Sequence, residues 1–430
     1  MSIKSIVKRM RQSLQDMCYV WKQELKMTLR DEGVLLFVII VPLTYPLLYS
    51  WIYNNEVVRE VPVAVVDESH SATSREFARH CDASPDVRVA AYAANMEEAK
   101  TLMRNRDVSG IYHLPADFAT RLNQGQQAVV GVYCDMSIML NYKAIYQTAS
   151  AVSLDMNAHI QTKLAGNHTD REDEITTQPL DFDEVPVFNP AGGYGSFILP
   201  AVLVLIIQQT LLLGIGLSAG TARENNRYKD LVPISRHYQG IFRIVFGKSM
   251  CYFMIYAIMA SYLTLIVPRL FSFVTIGQPV PLFAVMVPYL LACIFFGLCL
   301  SCMIRYRENV MLLVVFSSVP LLFLSGVSWP QSNMPGIWQT VACLFPSTFG
   351  IRAYVRINSM GATLQDVATE YNALWTQAAA YFLLACAVYR NQILRARQHA
   401  LERLGYMKRK REVRRRLKER NAASQSNNKG

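Results

Sequence analysis

Apolar residues in this chain gather in long blocks separated by polar segments, instead of recurring at the short spacing of a soluble core. Six blocks of roughly 20 residues stand out, each long enough to cross a hydrocarbon layer of about 30 Å. They run from about Val34 to Tyr53, Phe197 to Ala219, Ile244 to Val267, Leu282 to Ile304, Val310 to Val327 and Tyr371 to Tyr389. Backbone N–H and C=O groups in lipid need partners inside their own segment, and the alternating pattern of a barrel is absent, so every block predicts a helix. The fold class expected is a polytopic α-helical membrane protein with six transmembrane helices. The first block starts some 33 residues in and lacks a small-x-small site after it, so it reads as a retained span and not as a signal peptide. Pro42 and Pro46 predict a bend within it.

Basic residues set the orientation. Seven of them, from Lys4 to Arg30, precede the first block, and the tail after the last holds clusters such as Lys408, Arg409, Lys410 and Arg411. Positive flanks resist translocation, which puts both termini in the cytoplasm. The second connection, with Arg223, Arg227, Lys229 and Arg236, and the fourth, with Arg305 and Arg307, then fall on the same side.

The connection from 54 to 190 differs in kind. Short β-like runs (VPVAVVD, VRVAAY, VSGIYHLP, AVVGVYCD) alternate with helical ones (SREFARHCD, MEEAKTLMRNRD, ADFATRLNQ and a long pattern from Tyr142 to Leu164). Such interleaving predicts a mixed α/β domain, here extracytoplasmic, and roughly 135 residues suffice for a core of its own. The expected domains are a cytoplasmic amphipathic helix (1–33), the first span (34–53), the extracytoplasmic domain (54–190), five further spans (191–390) and a basic cytoplasmic tail (391–430).

Composition changes the picture in two ways. The 52% hydrophobic and 17% charged residues agree with a membrane protein, and the net charge of +11 is explained by topology and anionic lipid headgroups without nucleic acid. Of nine cysteines only Cys81 and Cys134 fall in the external domain, where a disulfide between them is left open by spacing alone. No catalytic constellation or metal-ligand spacing is evident. The span centres hold almost no ionisable groups, which disfavours ion-coupled transport. Gly247-Lys248-Ser249 ends like a phosphate-binding loop, but Phe242 stands where that loop needs glycine, so no nucleotide or other cofactor is expected on this chain.

Two features point to function. Gln208 and Gln209 lie mid-block in LIIQQTLLLG, and an amide in hydrocarbon faces protein or water, so the pair either lines a translocation path or bonds between helices. After Gly326 the apolar run breaks into VSWPQSNMPGIWQTVACLFPSTFGIR, too apolar for a solvated loop and too broken for a span. Pro330, Pro335 and Pro346 delimit two short helical pieces, and Trp329 and Trp338 suit the headgroup zone, so a re-entrant segment is expected at about 329–349. It serves as an external gate or as a packing plug.

These residues carry a resemblance. Leu324-Ser325-Gly326, Pro330, Met334-Pro335, Gln339, Pro346 and Arg352 occur in the order characteristic of ABC-2 type transporter permeases, which this segment resembles. Asn189-Pro190, Tyr194, Phe197 and Pro200 look like the family's approach to the second span, and Thr221-Ala222-Arg223-Glu224 with Asp230-Leu231 and Pro233-Ile234-Ser235 look like its cytoplasmic loop. The family's Gly-Thr pair after that Arg-Glu is missing, since Tyr228 and Lys229 stand there.

The resemblance implies a permease subunit of an ATP-driven exporter in the inner (plasma) membrane, working with a second permease, the same or homologous. ATP and Mg would be held by separate ATP-binding subunits, and this chain would hydrolyse nothing. It implies that Ile6 to Leu29 is a connecting helix along the membrane and that Arg223, Glu224 and Asp230 couple to the ATPase, although the first two also read as ordinary juxtamembrane charges. It also implies a periplasmic membrane-fusion adaptor, an outer-membrane duct and drug-like or other amphipathic substrates. The alternative is a surface receptor or envelope-assembly scaffold that uses the same membrane fold without transport.

Overall fold

The computed structural model describes residues 3–166, 169–178, 180, 185–190, 192–224, 231–232, 238 and 240–427. They form two compact units, one of Met1–Asn54 with Tyr194–Gly430 and one of Asn55–Gly193.

The first unit opens with α1 (Ile3–Arg30), followed by α2 (Glu32–Ile52). Asp31 separates the two by capping α2, its carboxylate accepting from the N–H groups of Gly33 and Val34. Inside α2 a wide π-type turn occupies Leu36–Ile40, just ahead of Pro42, whose missing N–H leaves no regular helix bond to lose. Tyr45, Tyr49 and Tyr53 then form a ladder up one side, with ring centroids 4.8 and 6.1 Å apart, ending 5.6 Å from Tyr194.

The chain returns to this unit in α8 (Tyr194–Glu224), with α9 (Ile241–Leu270), α10 (Pro279–Ser301) and α11 (Arg307–Leu324) after it. Among the described residues, α2, α8, α9, α10 and α11 are the five helices long and apolar enough to cross a membrane. The sixth apolar block lies in α14 (Ala368–Asn427), where Asn372, Thr376 and Gln377 dilute it. Between α11 and α14 come a 3₁₀ turn at Gln331–Asn333, α12 (Gly336–Ala342) and α13 (Pro346–Met360).

α8 is the axis of the bundle, buried along nearly its whole length. Small residues let its neighbours approach: a Cβ at Gly214 would lie 2.2 Å from Val38, and one at Gly350 in α13 would lie 2.4 Å from the Tyr289 ring of α10. Tyr289 in turn donates its hydroxyl to the Val204 carbonyl at 2.7 Å, and Tyr354 donates to that of Thr264 at 3.3 Å. These bonds satisfy phenols that would be costly unpaired in an apolar interior.

The second unit holds β1 (Val61–Asp67), α3 (Ala72–Asp82), β2 (Val87–Tyr92), α4 (Met96–Arg104), β3 (Gly110–Leu114), α5 (Phe118–Asn123), β4 (Gly131–Cys134), α6 (Met139–Ala165) and α7 (Asp170–Thr177). Its sheet has the order β2-β1-β3-β4, with β1 parallel to β2 and β3, and β4 antiparallel to β3. Val61, Val63 and Val65 turn to one face of the sheet, against Phe77, Tyr112 and Ile145. Ala64 and Val66 turn to the other, against Ala99 and Val108. Burial on both faces explains why β1 reads as a continuous apolar run. Cys81 and Cys134 are free thiols, so the disulfide left open by the sequence is not formed.

Candidate functional site

Three groups of residues singled out by the sequence fall in the helical unit. The first lies where α8 ends and α11 begins. Arg223 is buried, and its guanidinium donates to the carbonyl oxygens of Ile304 and Cys302 beyond the end of α10. Carbonyls at a helix C-terminus lack intrahelical donors, and a cation there also complements the helix dipole. Glu224 accepts from the Arg307 N–H at 3.2 Å, the matching arrangement at the start of α11. Both residues therefore grip the α10–α11 connection of their own chain. Asp230, with Arg227, Lys229 and Pro233-Ile234-Ser235, lies outside the described residues.

The grip extends to α2. Arg307 donates to Asp31 at 2.8 Å and Thr221 donates to the other Asp31 oxygen at 2.7 Å. A Cβ at Gly33 would lie 2.5 Å from the Arg307 guanidinium, so glycine leaves room for that approach. Burial opposes ionisation of Asp31, but the bonds from Thr221, Arg307 and Val34 and the Arg307 charge outweigh it and hold the carboxyl below the usual carboxylate range.

Sequence reasoning missed how α1 attaches. Asp16, Val20, Glu24 and Thr28, four residues apart, form the buried stripe of this helix. Asp16 accepts from Arg243 at 2.5 Å. Glu24 accepts from Lys248 at 2.7 Å and from the Tyr252 hydroxyl at 2.9 Å. Between these pairs Val20 sits on Gly247, where a Cβ would approach it to 2.8 Å. The apparent phosphate-loop ending Gly247-Lys248-Ser249 is thus a helix-packing site inside α9. The signal was available as two acids eight residues apart on α1 and a lysine inside an apolar block.

The second group is the mid-span amide pair. Gln208 is fully buried and bonds between helices: its amide donates to Ser347 Oγ at 3.2 Å, and its carbonyl accepts from the Ser347 N–H at 2.7 Å. That N–H is one of the unpaired donors at the start of α13, so Gln208 acts as a cap from another helix. Gln209 donates to Ser317 of α11 at 3.4 Å and keeps a buried carbonyl oxygen without a partner among the described residues.

The third group is the punctuated segment. Pro330, Pro335 and Pro346 stand at the starts of the 3₁₀ turn, α12 and α13, where a missing N–H costs nothing. Gln339 donates to the carbonyls of Met334 at 2.9 Å and Gln331 at 3.1 Å, closing the loop on itself. Arg352 donates to the Ser325 carbonyl at 3.2 Å, beside Gly326 at φ +90, and one of its buried nitrogens has no partner among the described residues. The structure therefore joins the Ser325-Gly326 and Arg352 ends of the motif. From Pro346 the chain continues as α13 to Met360 within the bundle. Trp329, Ile337 and Trp338 are exposed.

The comparisons agree on one family. The family model described as ABC-2 family transporter protein matches residues 33–387. The chain is 22% identical over 386 residues to the "Probable multidrug ABC transporter permease YbhR" of Escherichia coli (strain K12), covering 87% of this chain and 98% of the relative. It is 22% identical over 352 residues to the "Linearmycin resistance permease protein LnrN" of Bacillus subtilis (strain 168), covering 75% of this chain and 86% of the relative. A match spanning α2 through the apolar part of α14, together with the span-length helices, places the chain in the ABC-2 transporter family, as a multi-pass permease subunit of an ABC exporter in the inner membrane.

Proposed function

We propose that this permease forms half of a translocation path for drug-like or other amphipathic molecules, driven by a separate subunit that binds ATP and Mg. The carrying observation is the polar clamp of Arg223, Glu224, Arg307, Asp31 and Thr221, which ties the ends of α8 and α10 and the start of α11 to the start of α2. A push on the residues that follow α8, Asp230 included, would reach four helices through it, so Arg223 and Glu224 serve coupling as positioning residues and not as direct ATPase contacts.

The topology proposed has six spans, with residues 371–389 of α14 as the sixth. Leu374, Ala378, Ala385 and Tyr389 are buried there against the bundle, which supports that reading. Basic flanks put both termini and the clamp in the cytoplasm. The α/β unit is then extracytoplasmic, where an adaptor and an outer-membrane duct would meet it, and the Pro330–Arg352 segment becomes an external gate held by Gln339 and Arg352. The exposed apolar faces of α2 and α11, with Trp51, Val315 and Phe316, are proposed to meet lipid and the second permease. The names of the relatives support the substrate class.

Affinity purification in mild detergent, with identification of partners, an ATPase assay and dye export from reconstituted vesicles, tests this function. A co-purifying nucleotide-binding subunit with vanadate-sensitive hydrolysis is expected, and Arg223→Ala should uncouple hydrolysis from export. Robust hydrolysis by the isolated chain, or capture of envelope proteins alone, would sink the proposal.

A further inference from the structure

A cavity of about 840 Å³ opens in the α/β unit between β4, α5 and α6. Core residues Phe77, Phe118 and Ala149 form part of its wall, and Tyr112 donates to the Ile145 carbonyl at 2.9 Å, fixing α6 to β3. Its walls are aromatic, aliphatic and thioether groups, including Phe118, Val132 and Met156, and Tyr142 and Tyr146 stack with centroids 5.9 Å apart at one side. Along α6 the hydroxyls of Ser150 and Ser153 and the amide of Asn157 add hydrogen-bonding groups at helical spacing. None of the described lining residues carries a charge.

The volume falls within the roughly 300–1,000 Å³ of small-molecule sites, and the mixture of many apolar walls with few polar groups is their usual character. Methionine adapts to varied shapes, which suits a site for more than one ligand. An ionised ligand would lose hydration here without finding a counter-charge. From this chemistry we infer that the cavity binds an uncharged amphipathic small molecule, its apolar body against β4 and α5 and its hydroxyl or carbonyl groups against Ser150, Ser153 and Asn157. The inference rests on the export reading for its role, as a substrate-class site outside the helical bundle, but not for binding itself.

The test uses the full chain in lipid nanodiscs, with neither ATPase nor nucleotide, and 4-(hydroxymethyl)benzophenone as photoprobe. Cross-links should concentrate in peptides from β4 and α6, saturate, and be competed by excess diphenylmethanol. Ser153→Trp, which fills the cavity, should lower this labelling by roughly tenfold or more, while Ser153→Ala should retain it. Unsaturable labelling spread over the lipid-facing helices would overturn the assignment, as would undiminished labelling in a folded Ser153→Trp protein. If that variant does not fold, saturation and competition on the unaltered chain decide. Absent labelling alongside intact ATP-driven export removes the cavity assignment alone, whereas site-specific labelling upholds it even where no export is found.

Discussion

Lys248 and Glu24 meet at 2.7 Å with side chains only 8% and 2% exposed, although 224 positions separate them in the chain. Such a pair joins α1 to α9 more selectively than apolar contact could, since either charge left alone would be buried without compensation.

Removing one partner should therefore cost more than removing both. Glu24→Met or Lys248→Met alone is expected to destabilise by about 3–5 kcal/mol, and the two replacements together by distinctly less. Thermal unfolding of the four purified proteins closes the cycle, and additive losses would show that the pair does not act as a unit.

Replacement of Gln208 by leucine keeps its approximate volume while stranding the Ser347 N–H at the start of α13. The expected loss is about 1–3 kcal/mol, with export falling in parallel as α13 loses its seat. Unchanged melting and unchanged dye efflux would contradict the capping role.

Gly350→Ala puts a methyl 2.4 Å from Tyr289, whose hydroxyl is tied to the Val204 carbonyl. Overpacking of this kind costs about 1–3 kcal/mol. Pairing it with Tyr289→Leu should restore part of the loss, read as recovered melting temperature.

Asp31 supplies a pH dependence whose sign is fixed. Its folded-state pKa is lowered from the ordinary aspartate value, so its contribution is fully present above the unfolded value and is lost as pH falls through the folded one. The stability gap between the native protein and Asp31→Asn should hold from neutral pH down to about 4 and shrink below it. A gap that closed between pH 5 and 7 would assign the dependence to another group.

Burial pushes the Cys81 thiol up to about 12 and also raises that of Cys134. At pH 8 Cys81 should resist iodoacetamide until the protein is denatured, because thiolate is the reacting form. Differential alkylation with peptide mapping measures this directly, and rapid labelling in the native state would show that the core around Phe77 and Tyr112 opens.

Local rules made much of this fold readable. Pro330, Pro335 and Pro346 start helical pieces because proline fits the first turn, and β1 lies in VPVAVVD because a strand covered on both faces must be apolar throughout. The motif residues Met334, Gln339 and Arg352 were legible through family resemblance, but not their bonds, which run to backbone carbonyls that any sequence possesses. Partners far apart in sequence were the least readable. Arg223 looks like a juxtamembrane charge until α10 places its terminal carbonyls beside it, and Glu24 looks like a solvent-facing acid until α9 brings Lys248. The sixth block was found by length, yet Asn372 and Gln377 leave it less apolar than the five span-length helices.

The wide turn at Leu36–Ile40 holds a stored rotation. One residue of helix corresponds to about 100° of turn and 1.5 Å of rise, so re-forming regular helix there would swing the tyrosine ladder about a quarter-turn around the axis of α2 and take Tyr53 off Tyr194. α9 has the same kind of turn at Tyr262–Ile266, and the Tyr262 hydroxyl donates to the Leu43 carbonyl of α2 at 3.0 Å. Two spans thus each carry one residue to spare, and the turn in α9 touches α2 three residues past the turn in α2. Each span can thereby be re-aimed above and below its wide turn with most backbone groups still bonded within the helix, the carbonyls facing Pro42 and Pro46 in α2 excepted.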